Sequence, residues 1–163
     1  MAVKKIVFSA ILAAVYFAVT MLLAPISFGP IQCRISEALT IFPFFIPSSM
    51  WGLFVGCLLS NFFGGVHILD IVFGSLATLL AGYITSKIKK PFLVPLPSII
   101  INAIVVGAII TVTSVPADSF LTVFPITMLQ VGIGQIGSCA LIGLPVLYLI
   151  PKISAIKSFI TIN

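Results

Sequence analysis

The sequence predicts an all-α integral membrane protein, a single domain over residues 1–163 with six transmembrane helices. Of its 163 residues, 61% are hydrophobic and 7% are charged, and the mean hydropathy is +1.35. Soluble domains contain about a quarter charged residues, and a soluble fold of this length cannot bury so much apolar surface. The basic residues stand in small groups between long uncharged runs, which is typical of membrane topology determinants.

The first helix is predicted over residues 6–25. A short basic start, Met1 to Lys5, precedes an apolar run that ends at Pro25. A secretory signal peptide has the same ingredients, but this run is longer than the usual apolar core and Pro25 makes a poor cleavage context. We therefore interpret the run as a membrane span, with a signal peptide as the alternative.

Prolines divide the next part of the chain into shorter helices. Residues 38–69 carry no charge and are too many for one span of about 20 residues. Because Pro43 and Pro47 end or kink helices, we predict one helix over 35–46 and another over 49–63.

The last three helices are predicted over residues 68–86, 95–114 and 120–149. The fourth ends at a basic cluster, and prolines open the fifth. The sixth is too long for one straight span. Either it begins with a re-entrant or surface piece, or it is one tilted helix loosened by glycines.

The charges predict a cell-membrane protein with both termini in the cytoplasm. With the N-terminus inside, seven lysines are cytoplasmic: Lys4, Lys5, Lys87, Lys89, Lys90, Lys152 and Lys157. Arg34 is then the external basic residue, and Glu37, Asp70 and Asp118 lie on or near the external side, as the positive-inside rule requires. This asymmetry suits an external capture site for a polar solute, and it equally suits simple surface loops.

Composition excludes several functions. One histidine leaves no histidine-rich metal site, and three distant cysteines are interpreted as small hydrophobic residues rather than ligands or disulfides. The chain has no P-loop motif for ATP. We therefore predict no cofactor and no nucleic-acid partner, and any energy for uphill transport would come from another protein.

The most polar stretch beside a span, residues 29–39, contains Arg34 and Glu37. Ser36 can cap the following helix, and Glu37 then lies in its first turn, where a negative charge suits the helix dipole. The two charged residues are three positions apart and could simply pair with each other. Alternatively they clamp a ligand, with Glu37 accepting hydrogen bonds and Arg34 donating them.

A second polar stretch, residues 60–70, joins two helices through a Gly-Gly turn. It brings Asn61, His67 and Asp70 to the outer end, although Asp70 could cap the next helix and His67 could be a solvated loop residue. Polar groups at membrane depth are costly and indicate either function or interhelical hydrogen bonding. Three amides lie within otherwise apolar segments: Asn102, Gln130 and Gln135.

Small residues follow one face of the first helix. Ala10, Ala14 and Ala18 recur at a spacing of four, and Gly52 and Gly56 share that spacing in the third helix. Such stripes let helices approach closely in lipid. They serve either internal packing or contact with a partner protein.

Three long segments resemble one known family. They are residues 29–40 (GPIQCRISEALT), 70–80 (DIVFGSLATLL) and 127–135 (TMLQVGIGQ). They are similar to the queuosine-precursor transporter family (QueT type), whose members are substrate-binding S components of energy-coupling-factor (ECF) transporters. The resemblance implies a six-helix S-component-like bundle that works with a membrane coupling protein (the T component) and two ABC ATPases. It also implies that Ala10 and Ala14 meet the coupling protein.

The resemblance further implies a 7-deazaguanine substrate, such as the aminomethyl form or queuine. A carboxylate such as Glu37 or Asp70 can accept two N–H donors from the pyrimidine edge of this base, and Arg34 can donate to its carbonyl. A cationic aminomethyl group would favour a second carboxylate. Another vitamin, a pterin or another purine would find the same groups acceptable.

We predict a transport protein rather than an enzyme. A membrane enzyme or an autonomous transporter is the alternative of another class, but no motif for either is present. The substrate site is predicted to contain eight residues: Arg34, Glu37, Asn61, His67, Asp70, Asn102, Gln130 and Gln135.

Overall fold

The computed structural model describes residues 2–29 and 31–152, and for these residues it confirms the all-helical fold class. Pro30 and Lys157 lie outside the described residues. The α-helices are α1 (Ala2–Leu22), α2 (Ala24–Ser27), α3 (Ser49–Phe63), α4 (Ser75–Thr85), α5 (Leu96–Ser114), α6 (Phe120–Gln135) and α7 (Leu144–Leu149). Short 3-10 helices lie at Ile35–Phe44, Pro91–Leu93, Ala117–Ser119 and Ile150–Lys152, and π-helical segments at Asp70–Gly74 and Ile136–Gly143.

Three of the described helices are long and apolar enough to cross a membrane. They contain 20, 24 and 36 residues and lie at Val3–Leu22, Pro91–Ser114 and Ala117–Lys152. Three shorter apolar helices accompany them, at Ile35–Phe44, Ser49–Phe63 and Asp70–Thr85. The number of six spans and the cytoplasmic position of both termini stay predictions. The C-terminal helix is continuous from α6 through the π-helical segment into α7.

Burial is inverted relative to a soluble domain. Large apolar side chains such as Val3, Leu22, Leu121 and Leu141 are 71–83% exposed. The buried side chains of the described residues, in contrast, are polar as often as apolar. An apolar outer surface around an interior that holds polar groups is what a membrane-embedded bundle requires.

The 3-10 helix Ile35–Phe44 is the central helix of the bundle. It contacts α1, α3, α4, α7 and the π-helical segment Ile136–Gly143, and seven of its ten residues are buried. Pro43 has no amide hydrogen for an α-helical bond, and the Phe45 N–H bonds to the Phe42 carbonyl three residues back, at 3.0 Å. Because residues 36–38 are among the buried ones, the first turn of this helix lies in the interior.

The helices α1 and α3 approach closely through glycine. A Cβ on Gly52 would lie 2.2 Å from the Ser9 carbonyl oxygen, and a Cβ on Gly56 would lie 2.9 Å from the Ala13 carbonyl oxygen. Neither position has room for a side chain. The Gly52–Gly56 stripe therefore serves internal packing, one of the two roles that the sequence left open.

Contacts bring the lysine-bearing segments to one end of the bundle. Ser9 Oγ donates to the Ser48 carbonyl (3.1 Å), so the start of α1 meets the start of α3. Near the end of α4, Gly82 packs against Met50 of that same part of α3, and α7 contacts Pro91–Leu93. Six lysines lie in or next to these segments. Lys4 and Lys5 are in the first turns of α1, Lys87, Lys89 and Lys90 follow α4, and Lys152 follows α7.

Candidate ligand site

Arg34 precedes the central helix and is 5% exposed. Its Nη1 donates to Cys57 Sγ of α3 (3.6 Å), and its guanidinium carbon lies 5.3 Å from the centroid of the Phe28 ring. Nη2 has no hydrogen-bond partner among residues 2–29 and 31–152. The Arg34 backbone is extended (φ −89°, ψ 96°), so the helical i, i+3 geometry that would pair it with Glu37 does not apply. The Nη2 amino group of the guanidinium is therefore available to a ligand.

Asn61 and Asp70 meet where α3 ends and the next helix begins. Asn61 is fully buried, and its Nδ2 donates to the Asp70 carbonyl oxygen at 3.0 Å. Asn61 Oδ1 and Asp70 Oδ1 are both buried, and neither has a hydrogen-bond partner in the described part of the chain. A Cβ on Gly74 would lie 2.2 Å from Asp70 Oδ1, so a side chain at this position would displace the carboxylate oxygen. The pair presents two oxygen acceptors to the interior.

Glu37 anchors a network between three helices. The Tyr16 hydroxyl of α1 donates to Glu37 Oε1, and Asn102 Nδ2 of α5 donates to Oε2 at 3.3 Å. Asn102 Nδ2 also lies 3.2 Å from Gln135 Oε1 of α6. The amide nitrogen of Asn102 is thus held on both sides, and its Oδ1 is buried without a partner among the residues that the structure describes. Glu37 therefore fixes the direction in which Asn102 points its oxygen.

Four buried polar atoms of this cluster have no hydrogen-bond partner among the described residues. They belong to side chains that are 0–5% exposed, and they are one donor and three acceptors: Arg34 Nη2, Asn61 Oδ1, Asp70 Oδ1 and Asn102 Oδ1. Arg34 also interacts electrostatically with both Glu37 and Asp70. Because an unpartnered buried polar group costs about 1–3 kcal/mol, these four atoms form the candidate site for a polar ligand.

Six of the eight predicted site residues belong to this cluster or bond directly to it, and two lie outside it. His67 is exposed, and its Nδ1 accepts a hydrogen bond from the Leu69 N–H at 3.2 Å, at the start of the next helix. Gln130 is half-buried on α6 and forms no side-chain hydrogen bond with a described residue. His67 and Gln130 therefore stay predictions as ligand contacts.

Two residues of the cluster were missed by the sequence interpretation. Tyr16 is fully buried against Glu37, and Cys57 Sγ accepts from Arg34, from Asn61 Nδ2 (3.7 Å) and from Thr78 Oγ1 (3.4 Å). Hydropathy treats tyrosine and cysteine as apolar, so neither stood out within its run. A tyrosine at the middle of a span was the available signal, since its hydroxyl needs a partner.

Gly134 supports the loop that carries Arg34, and we expect Gly134→Ala to disturb it. The new Cβ would lie 2.3 Å from the Ile31 carbonyl oxygen and 3.1 Å from that of Gln32, whose φ is +47°. Such overpacking costs about 1–3 kcal/mol, so the melting temperature of the purified protein should fall. Gly132→Ala is the matched control, because its Cβ would meet Ala103 at an ordinary 3.6 Å. Equal melting temperatures for the two variants would contradict this prediction.

Comparisons with known proteins give two further findings. A family model described as "QueT transporter" matches residues 6–152. The chain is also similar to a "Queuosine precursor transporter QueT" from Lactococcus lactis subsp. cremoris (strain MG1363), with 42% identity over 77 residues. That match covers 46% of this chain and 45% of the relative, so it spans less than half of the relative's length. No solved structure matches the chain.

Proposed function

We propose that this chain, which belongs to the QueT transporter family, captures a queuosine precursor from outside the cell as the S component of an ECF importer. Membership of a transporter family identifies it as a transport protein rather than an enzyme. The observation that carries the proposal is the buried set of one donor and three acceptors that have no partner in the described part of the protein. A site with these groups is complementary to a small, polar, donor-rich base.

The chemistry of a 7-deazaguanine suits this set of atoms. The base offers several N–H donors, which the oxygens of Asn61, Asp70 and Asn102 can accept. It has one carbonyl oxygen, to which Arg34 Nη2 can donate in a charge-assisted bond. Its flat ring suits aromatic neighbours such as Phe28.

The direct test is to identify what the purified protein retains and binds. Ligand extracted from the protein should yield a 7-deazaguanine base by mass spectrometry, and titration calorimetry in detergent should give saturable binding of that base. Guanine, which carries a nitrogen at ring position 7 and no substituent there, is the matched competitor and should bind more weakly. A different vitamin in the extract, or equal affinity for guanine, would contradict the proposed substrate.

We also propose that the coupling protein docks against α1. Ala10 and Ala14 are exposed on the outer surface of the bundle, and Ala10 lines a groove of about 430 Å³ between α1 and α3. Gly52 and Val55 form part of the opposite wall of that groove. In lipid, helices associate through close van der Waals contact, which small side chains permit. The groove therefore suits an approaching helix.

Ala10→Trp should weaken assembly with the coupling protein and the two ATPases and reduce uptake by about tenfold or more. The bulky ring would hold the approaching helix away, which forfeits the close contact on which association depends. Val15→Trp is the matched control, because Val15 is 42% exposed on another side of α1. Co-purification and uptake into proteoliposomes measure the effect. Loss of ligand binding by the isolated Ala10→Trp protein would show instead that Ala10 supports the bundle itself.

A further inference from the structure

Another apolar groove lies on the outer surface of the bundle, between the start of α3 and α4, and has a volume of about 450 Å³. Large apolar and aromatic side chains form its walls: Met50, Trp51, Leu76, Leu79, Leu80 and Tyr83. The four residues from α4 recur every three or four positions, so they form one stripe about 10 Å long on that helix. This groove is distinct from the buried polar cluster, which lies in the interior.

A lysine lies at one end of this groove. The Lys87 ammonium is 5.4 Å from the centroid of the Tyr83 ring, which is a cation–π contact. Lys89 and Lys90 follow in the chain, and all three lysines are exposed. Trp51 and Tyr83 are 54% and 51% exposed, and both residue types are enriched where a membrane meets water. The groove therefore has a basic, aromatic rim and apolar walls.

The three lysines form no ion pair within residues 2–29 and 31–152. Glu37 and Asp70 are buried in the interior, and Asp118 follows the far end of α5, a helix of 19 residues that begins shortly after the lysines. Basic clusters next to a membrane helix attract anionic lipid headgroups. Three uncompensated positive charges beside an apolar groove are therefore complementary to a ligand with an anionic head and a hydrocarbon tail.

The side chains of the groove favour a lipid over another transmembrane helix as the occupant. Helices pack closely in lipid where small residues let their backbones approach. The small residues of α3, Gly52 and Gly56, face α1 instead, and Gly82 of α4 packs against Met50. Leucine and methionine side chains line the groove, and a flexible acyl chain can adapt to such an irregular apolar surface.

We propose that this groove binds an anionic phospholipid, with an acyl chain along α4 and the phosphate beside Lys87, Lys89 and Lys90. Trp51 and Tyr83 lie at the boundary between the headgroup and the acyl chain. A zwitterionic lipid can fill the same groove, but it offers the lysines no net negative charge. The lysines therefore make the site selective for the headgroup. This inference is independent of the substrate that the polar cluster binds.

Trp51 is the single tryptophan of the chain, so its fluorescence reports on the groove. The full-length protein is reconstituted into phosphatidylcholine liposomes with increasing fractions of either brominated phosphatidylglycerol or brominated phosphatidylcholine. Because bromine quenches tryptophan at close contact, the two curves give the relative affinities of the lipids. The anionic lipid should bind at least about fivefold more tightly, the effect of one lysine near an anionic lipid. Equal affinities, or quenching by neither lipid, would overturn the inference.

Two lysine variants identify the groove, since Trp51 also lines the groove between α1 and α3. Lys87→Gln should lower the preference for the anionic lipid by about fivefold. Lys5→Gln is the matched control, because Lys5 lines the other groove, and it should leave the preference unchanged. An unchanged preference in Lys87→Gln, or an equal loss in Lys5→Gln, would overturn the inference.

A relocated tryptophan tests whether the anionic lipid is enriched in this groove or around the whole basic end. The double variant Trp51→Phe/Tyr148→Trp moves the fluorescent group to α7, where Tyr148 is 55% exposed towards the same end of the bundle. Its preference for the anionic lipid should be clearly smaller than that measured at Trp51. A preference as large as at Trp51 would show a general attraction to the lysines and would overturn the inference.

Discussion

Arg34→Met is expected to destabilise the folded protein by about 3–5 kcal/mol, the cost of removing one partner from a buried group of charges. Arg34 is 5% exposed, and it attracts both Glu37 and Asp70. Methionine has a comparable length and no charge, so the two carboxylates would remain buried without a compensating cation. Thermal unfolding in detergent, followed by circular dichroism, measures the effect.

Two further variants separate charge from packing. Arg34→Lys keeps the positive charge and loses the planar donor group, so it should be clearly more stable than Arg34→Met. The double variant Arg34→Met/Asp70→Asn buries one negative charge fewer and should recover part of the lost stability. A double variant no more stable than Arg34→Met alone would show that packing, rather than charge, is the contribution of Arg34.

Glu37→Gln is expected to weaken binding of the deazaguanine base by about tenfold to more than a hundredfold in a protein that remains folded. The carboxylate accepts from Tyr16 on one side and from Asn102 on the other. A glutamine must turn an NH₂ group towards one of these two partners, so one of the anchoring bonds is lost or reversed. If the side-chain amide of Asn102 rotates in response, its NH₂ group replaces the Oδ1 acceptor at the proposed ligand position.

Tyr16→Phe is the matched control for this effect. It removes one of the two donors to Glu37 and leaves the bond between Glu37 and Asn102 in place, so the affinity should fall less than in Glu37→Gln. Calorimetry gives the affinities, and circular dichroism checks the fold. Wild-type affinity in Glu37→Gln would mean that Glu37 does not position Asn102 for the ligand.

The membrane class and most of the polar cluster were predictable because each rests on rare residues. Three acids and one arginine stand out in a chain with 7% charged residues. An amide such as Asn102 stands out in the same way within an apolar helix. Rarity marks a residue, but it does not show which way the residue points. His67 and Gln130 were therefore indistinguishable in the sequence from Asn61 and Gln135, which lie in or beside the cluster.

The contacts between elements were not predictable from the chain. Arg34 and Glu37 are three residues apart, and that spacing alone made a local pair a fair alternative. The extended backbone at Arg34 removes that alternative, since it aims the guanidinium at Cys57 of α3. Hydrophobic periodicity predicts the faces of a single helix. Arg34 and Cys57 lie on different elements and are 23 positions apart in the chain, so periodicity could not show that they meet.

The π-helical turn at Asp70–Gly74 determines the direction in which the Asp70 side chain points. A π turn holds about one residue more than an α turn, which rotates the segment before it by about 100° relative to a regular helix continued from α4. That phase decides whether Asp70 faces Asn61 and Arg34 or the lipid. The same side chains on a regular α-helix would therefore not form the same site. The position of the Asp70 carboxylate depends on the one extra residue in the π turn as well as on the side chain itself.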